Sequence, residues 1–105
     1  MEKTLDTIDH VAIAVTDISV ALEWYRRHFQ CEVAYQDETW ALLQFENIKL
    51  ALVIAEQHPA HLGFFRSDAA DFGTLKPHRD GTKSVYIKDP AGNSLEILER
   101  QEPVA

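Results

Sequence analysis

The chain has 105 residues, 46% of them hydrophobic, which suits one folded domain spanning residues 1–105 and excludes a multidomain enzyme or a disordered segment. Its 10 lysines and arginines stand against 17 acidic residues, and the formal net charge of -7 removes the electrostatic driving force for binding nucleic acid. We therefore expect a small-molecule substrate or ligand and no nucleic-acid partner.

The sequence also gives an expectation about location. The single cysteine, Cys31, cannot form an internal disulfide, and residues 1–6 lack the apolar core of a secretion signal. The longest mainly apolar stretch, residues 48–55, is far shorter than the roughly 20 residues that a membrane-spanning helix needs. We expect a cytoplasmic protein without a membrane partner.

The first half of the chain predicts the element order βαβββ. Residues 8–15 are rich in β-branched side chains and predict a strand. Asp17 then offers an N-cap, and apolar residues recur at helical spacing after it. The apolar stripe of this helix consists of Ala21, Trp24, Tyr25, His28 and Phe29, with His28 at its surface end. Three further strands are predicted at residues 31–36, 39–45 and 48–55.

The second half predicts the same order with shorter elements. The predicted elements are strands at residues 60–66, 75–78, 82–88 and 93–99 and a short helix at residues 68–75. Ser67 and Asp68 repeat the polar start of a helix. His10 and His61 each precede an aspartate by seven residues, so we interpret the halves as a degenerate internal repeat.

The alternation of side chains along the predicted strands brings polar groups to one face. Successive strand residues point to opposite sides of a sheet, so His10 lies opposite the apolar row that starts at Val11. The same alternation places His61 and Glu96 opposite the more apolar face. Two imidazoles and one carboxylate that meet at a cavity make a metal site with open positions. Hydrogen-bonded core histidines and a solvated glutamate are the alternative, which the residues alone leave open.

Four segments carry a family resemblance, and they lie at residues 8–15, 21–25, 61–64 and 85–98. The most specific is Asp89-Pro90-x-Gly92-Asn93-x-x-Glu96. Together they resemble the vicinal oxygen chelate superfamily, which includes glyoxalase I, bleomycin-resistance proteins, fosfomycin-resistance enzymes, methylmalonyl-CoA epimerase and extradiol dioxygenases. The resemblance implies an α+β fold in which two βαβββ modules, about residues 5–56 and 58–100, form a curved mixed sheet around one cleft, with the second module shortened.

The resemblance also implies a ligand set for a divalent metal ion. By position, His10, His61 and Glu96 would be the metal ligands. The family's fourth ligand position falls on Ala51, whose methyl group binds no metal, so glyoxalase chemistry would need another base. The remaining set is similar to that of extradiol dioxygenases and fosfomycin-resistance enzymes, and it accommodates Fe, Mn, Zn, Ni or Co.

Three functions stay open at this point. The first is a metal-dependent lyase, isomerase or transferase that chelates two adjacent oxygens of a small substrate and stabilises their charge. The second is an extradiol-type dioxygenase, since His78 and Tyr86 resemble the extradiol signature in spacing and Tyr86 would bind a catecholate. The third is a metal-free, bleomycin-resistance-like protein that sequesters a ligand against Trp40. The alternation of side chains along its strand directs Lys49 into the cleft, where it would bind an anionic substrate.

A homodimer is also expected. A shortened second module would leave apolar sheet surface uncovered, particularly around Phe64, and a second copy of the chain would bury it.

Overall fold

The computed structural model describes residues 5–79 and 81–99, which form one curved mixed sheet of eight strands with one α-helix on its convex side. The elements are β1 (Thr7–Val15), α1 (Ile18–His28), β2 (Glu32–Gln36), β3 (Trp40–Gln44), β4 (Lys49–Ile54), β5 (His61–Arg66), a 3₁₀ helix (Ala69–Phe72), β6 (Lys76–Pro77), β7 (Lys83–Lys88) and β8 (Ser94–Glu99). Each predicted strand is present, with ends that differ from the predicted ones by at most one residue.

The strand order is β2-β3-β4-β1-β5-β8-β7-β6. Strands β1 and β5 pair antiparallel at the centre, β1 pairs parallel with β4, and β5 pairs parallel with β8. His10 pairs with Gly63, and Gly63 pairs in turn with Glu96. Ala12 pairs with His61. The register therefore brings three polar side chains of the sequence prediction to the middle of the sheet.

The helix α1 covers the first half of the sheet. Asp17 caps its start, because its carboxylate accepts a hydrogen bond of 2.9 Å from the backbone amide of Val20. Ile18 and Leu22 are buried against a cluster that includes Leu43 and Leu52. Fully burying a side chain of this size contributes about 2 kcal/mol, so these contacts fix the helix on the sheet.

The predicted stripe of α1 is wrong at two positions. Trp24 and Phe29 are 46% and 51% exposed, whereas His28 is exposed, as its place at the surface end of the stripe predicts. Ile18 and Leu22 set which face of the helix meets the sheet, and this turns Trp24 away from it. The indole of Trp24 packs instead on the imidazole of His28, with ring centroids 4.2 Å apart.

The predicted helix at residues 68–75 is also wrong in length and kind. Only Ala69–Phe72 is helical, as one 3₁₀ turn, and Asp68 makes no side-chain cap. The Asp68 carboxylate accepts hydrogen bonds from the Arg66 guanidinium at 2.8 and 2.9 Å instead. Within residues 5–79 and 81–99, no helix has the length and apolarity that crossing a membrane requires.

Candidate metal centre

The concave side of the sheet encloses a cavity of about 300 Å³. Apolar side chains from both halves form its walls, and they include Trp40, Leu42, Ala51, Val53, Phe65 and Leu98. Polar side chains line the base and the rim, and they include Asp9, His10, Lys49, His61, His78, Arg79, Tyr86 and Glu96. A cavity with apolar walls and a few convergent polar groups is the usual form of a small-molecule site.

Three donor atoms meet at the base of this cavity. Nε2 of His10 lies 3.0 Å from Nε2 of His61, and each of these atoms lies 3.1 Å from Oε1 of Glu96. The three side chains are 8%, 5% and 7% exposed. The structure thus brings together the three residues that the sequence proposes as ligands, each from a strand at or beside the centre of the sheet.

The orientation of His10 is fixed on two sides. Its Nδ1 lies 2.7 Å from Oδ2 of Asp9, and since a carboxylate accepts, Nδ1 donates and Nε2 is left for the cavity. The ring also lies over the backbone of Gly63. A Cβ atom at Gly63 would come within 2.2 Å of Cε1 of the ring, so this position has room only for glycine.

His61 and Glu96 are held in the same manner. Nδ1 of His61 donates to the backbone carbonyl of Pro59 at 2.7 Å, which leaves Nε2 as the acceptor. Oε2 of Glu96 accepts a hydrogen bond of 2.6 Å from the hydroxyl of Ser84, and Nε2 of His78 lies 3.2 Å from the same oxygen. Oε1 of Glu96 therefore remains for the histidines.

The charges at the centre are strongly coupled. Burial acts to lower the pKa of His10, but hydrogen bonds to Asp9 and Glu96 outweigh it and raise this pKa to about 9. Burial acts to raise the pKa of Glu96, but hydrogen bonds from His10, His61, His78 and Ser84 hold it well below its usual range. Two Nε2 atoms and a carboxylate oxygen at this spacing need a positive charge between them, either a proton or a cation.

The donor set fits a divalent cation. Bonds of about 2.1 Å to nitrogen and oxygen place two ligands at right angles about 3.0 Å apart, close to the separations here. Two neutral imidazoles and a carboxylate are the donors of sites that keep coordination positions open for substrate. Each donor side chain also has a second hydrogen-bond partner, as ligands of bound metals generally do.

The other residues singled out from the sequence border the same cavity. Trp40 lines it and stacks on Tyr35 with ring centroids 4.5 Å apart. The ring of Tyr86 meets the ring of His61 edge to face at 5.2 Å. His78 and Lys49 line it as well, and Ala51 forms part of the wall, 2% exposed.

Sequence reasoning missed three residues that hold the centre in place, namely Asp9, Gly63 and Ser84. Strict alternation puts Asp9 and His10 on opposite faces, but the pairing of β1 with β5 shifts register between Ile8 and His10. No feature of the sequence predicts this shift of register. Ser84 shares the alternation of Tyr86 on β7, so a search for second partners of Glu96 would have found it.

A contact between the two halves involves Arg79, which lines the cavity. Asp37 precedes β3, and its Oδ2 accepts a hydrogen bond of 2.9 Å from Arg79, which follows β6. The other carboxylate oxygen accepts from the backbone amides of Thr39 and Trp40. Asp37 therefore links the turn before β3 to the residue that follows His78, through an ion pair whose Arg79 side chain is largely exposed.

A comparison with protein families identifies the family of this chain. The family model of the Glyoxalase/Bleomycin resistance protein/Dioxygenase superfamily matches residues 7–74. Since this is more than half of the chain, the protein belongs to that superfamily, and the resemblance stated from the sequence is confirmed. The curated proteins include no match.

Several solved structures share the fold. A hypothetical protein from Bacillus halodurans C-125 is 15% identical, with a TM-score of 0.71 over 97% of this chain and 99% of that one. A variant of Streptomyces coelicolor methylmalonyl-CoA epimerase, in complex with 2-nitronate-propionyl-CoA, is 19% identical, with a TM-score of 0.71 over 90% and 94% of the two chains. A superfamily member from Vibrio splendidus 12B01 is 16% identical, with a TM-score of 0.64 over 90% and 98%. These likenesses confirm the predicted fold class.

Proposed function

We propose that this protein is a divalent-metal-dependent enzyme in which His10, His61 and Glu96 hold the ion. The observation that supports this most directly is the meeting of two Nε2 atoms and Oε1 of Glu96 within 3.1 Å at the base of a cavity. The chemistry that an ion held by these three residues would supply is Lewis-acid stabilisation of negative charge on two adjacent oxygens of a small substrate.

The cavity determines which substrates fit. A volume of about 300 Å³ suits a small molecule, and the walls formed by Trp40, Val53 and Phe65 favour an apolar body. Lys49 borders the same space, and its ammonium group favours an anionic oxygen on the substrate. We therefore propose a small substrate with an apolar part and two neighbouring oxygens that carry negative charge during the reaction.

Two residues are assigned to proton handling. Burial and the nearby Glu96 carboxylate raise the pKa of Tyr86, so its phenol stays protonated at neutral pH and can donate a hydrogen bond to a substrate oxygen. Ala51 offers no base on its side of the cavity. We assign the transfer of a substrate proton to His78, which lines the cavity and lies beside Glu96.

The test begins with the metal content of protein purified without chelators or an affinity tag. We expect near-stoichiometric metal in the wild type and its loss in His61→Ala and Glu96→Gln, because the first change removes a donor nitrogen and the second replaces the charged carboxylate with a neutral amide, which binds a cation more weakly. His28→Ala, which alters an exposed histidine on α1, serves as the matched control and should retain the metal. Elemental mass spectrometry measures all four proteins.

The identity of the metal decides which activity is assayed. The second candidate is an extradiol dioxygenase, because Tyr86 and His78 border the same cavity as the three proposed ligands. If the ion is redox-active, oxygen uptake is measured with a panel of catechols. Other ions call for assays of isomerisation, lyase and group-transfer reactions on substrates with adjacent oxygens. Absence of metal, with no thermal stabilisation by Mn, Ni, Zn or Fe, would contradict the proposal and favour a ligand-sequestering protein.

A further inference from the structure

We infer that Asp9 is a positioning residue that makes Nε2 of His10 the metal-binding atom, and that Lys49 sets the strength of this effect by acting on Asp9. This inference rests on the proposed metal centre and concerns side chains that lie behind the three ligands.

The contact between Asp9 and His10 selects one tautomer of the imidazole. A neutral imidazole can carry its proton on either nitrogen, and only the other nitrogen can bind a metal. Oδ2 of Asp9 lies 2.7 Å from Nδ1 of His10, and the Asp9 side chain is 10% exposed. A buried acceptor at this distance keeps a proton on Nδ1, so Nε2, the nitrogen that faces Glu96 and His61, is the one that would lose its proton to bind a metal.

The charge of Asp9 also makes the two histidines metal ligands of unequal strength. His10 donates to a carboxylate, whereas His61 donates to the neutral backbone carbonyl of Pro59. A carboxylate draws the Nδ1 proton more strongly than a carbonyl and raises the basicity of the opposite nitrogen. His10 is therefore the stronger of the two nitrogen ligands.

Lys49 moderates this charge. It pairs with His10 across β1 and β4, and its Nζ lies 3.3 Å from Oδ1 of Asp9, the oxygen that His10 does not use. The Lys49 side chain is 32% exposed, so its charge acts on Asp9 with partial screening by solvent. Removing the lysine leaves the carboxylate a stronger partner for His10 and should strengthen metal binding.

The experiment measures the dissociation constant for Zn²⁺ alone by competition with a chromophoric chelator. Asp9→Asn removes the charge and Asp9→Ala removes the hydrogen bond as well, so both should bind Zn²⁺ more weakly, by about 10- to 100-fold. Lys49→Met should bind more tightly than wild type. Asp68→Asn removes a carboxylate that pairs with Arg66 outside the cavity, and this control should bind as wild type does.

The double variant separates action through Asp9 from a direct effect of the lysine charge on the ion. If Lys49 acts through Asp9, Lys49→Met changes the affinity in the wild type but not in the Asp9→Asn background. An equal change in both backgrounds would overturn that part of the inference. Wild-type affinity in both Asp9 variants would overturn the role of Asp9.

A second readout follows the tautomer itself. In the Zn²⁺-bound wild type, NMR of the imidazole nitrogens should show the His10 proton on Nδ1 and slow exchange of that proton with water. Asp9→Ala should lose the slow exchange while the circular dichroism spectrum is unchanged. Failure of the wild type to bind Zn²⁺ would contradict the proposed function, whereas binding that is unaffected in the variants would contradict this inference alone.

Discussion

Gly63 is important because it has no side chain, which leaves space for the imidazole of His10. The imidazole of His10 lies where a side chain at Gly63 would begin, with 2.2 Å between Cε1 and a Cβ built on that glycine. Contacts this short are not tolerated, so any larger residue has to displace the ring or the strand. The glycine is needed for space, and the orientation of a proposed ligand depends on it.

We expect Gly63→Ala to weaken Zn²⁺ binding by about tenfold or more and to destabilise the fold by about 1–3 kcal/mol. Both effects have the same cause, which is the displaced His10 ring. Urea unfolding and chelator competition measure them. In the His10→Ala background the methyl group has room, so there Gly63→Ala should cost little stability, and an undiminished cost would show that the ring is not the reason.

Individual residues of the candidate site were predictable to different degrees. His10, His61 and Glu96 were found because strand alternation and a family resemblance both point to them. Asp9 was missed because its contact with His10 depends on a register shift that the sequence does not announce. Gly63 was missed because no turn or left-handed conformation marks it, and the need for glycine appears only when a side chain from another strand lies above it.

At the scale of the elements, the strands and the cap of α1 were predicted better than the face that α1 packs against the sheet. The cap at Asp17 follows from local chemistry, which the sequence contains. The buried face of α1 depends on how the helix is rotated against the sheet, which Ile18 and Leu22 decide together with the residues beneath them. The 3₁₀ turn at Ala69–Phe72 depends on Arg66, which takes the carboxylate that would have capped a longer helix.

The turn before β3 is held by one carboxylate. Burial acts to raise the pKa of Asp37, but hydrogen bonds from Tyr35, Thr39 and Trp40 outweigh it and hold this pKa well below its usual range. A carboxyl group whose pKa is lower in the folded than in the unfolded chain stabilises the fold above its unfolded pKa. That stabilisation is lost as the pH falls toward the folded value.

Asp37→Asn should therefore lower the melting temperature at neutral pH, and the difference from wild type should shrink as the pH falls below about 4. Thermal unfolding followed by circular dichroism across this range measures the effect. Glu38→Gln changes the neighbouring exposed carboxylate and should leave the melting temperature close to that of wild type. A difference between Asp37→Asn and wild type that is independent of pH would show that the charge is not responsible.

At the scale of the whole molecule, the repeat and the family resemblance predicted the curved sheet, and the comparisons confirm that fold class. The uneven cover of the sheet was less predictable. An α-helix packs on the first half, and one 3₁₀ turn lies beside β7 and β8 in the second. On the convex side near the centre, Ile8 and Leu62 are 45% and 38% exposed, while Phe64, predicted as the exposed residue, is only partly exposed.

We expect this surface, defined by Ile8, Leu62 and Phe64, to pair with a second copy of the chain. Light scattering at micromolar concentration should give the mass of a dimer, because burying exposed apolar area stabilises association. Leu62→Glu should shift the mass toward a monomer. Val20→Glu, on the exposed side of α1, should not. A monomeric wild type would contradict the prediction.

The contact between His10 and Gly63 has an evolutionary consequence, because it dictates the order in which substitutions can be accepted. A lineage that keeps His10 cannot acquire a side chain at position 63 without losing the ring's place. A lineage that first loses the histidine frees position 63, and a side chain fixed there afterwards blocks the imidazole from returning. Loss of the proposed metal centre would thus become irreversible by single substitutions, and residue 63 would preserve the record of it.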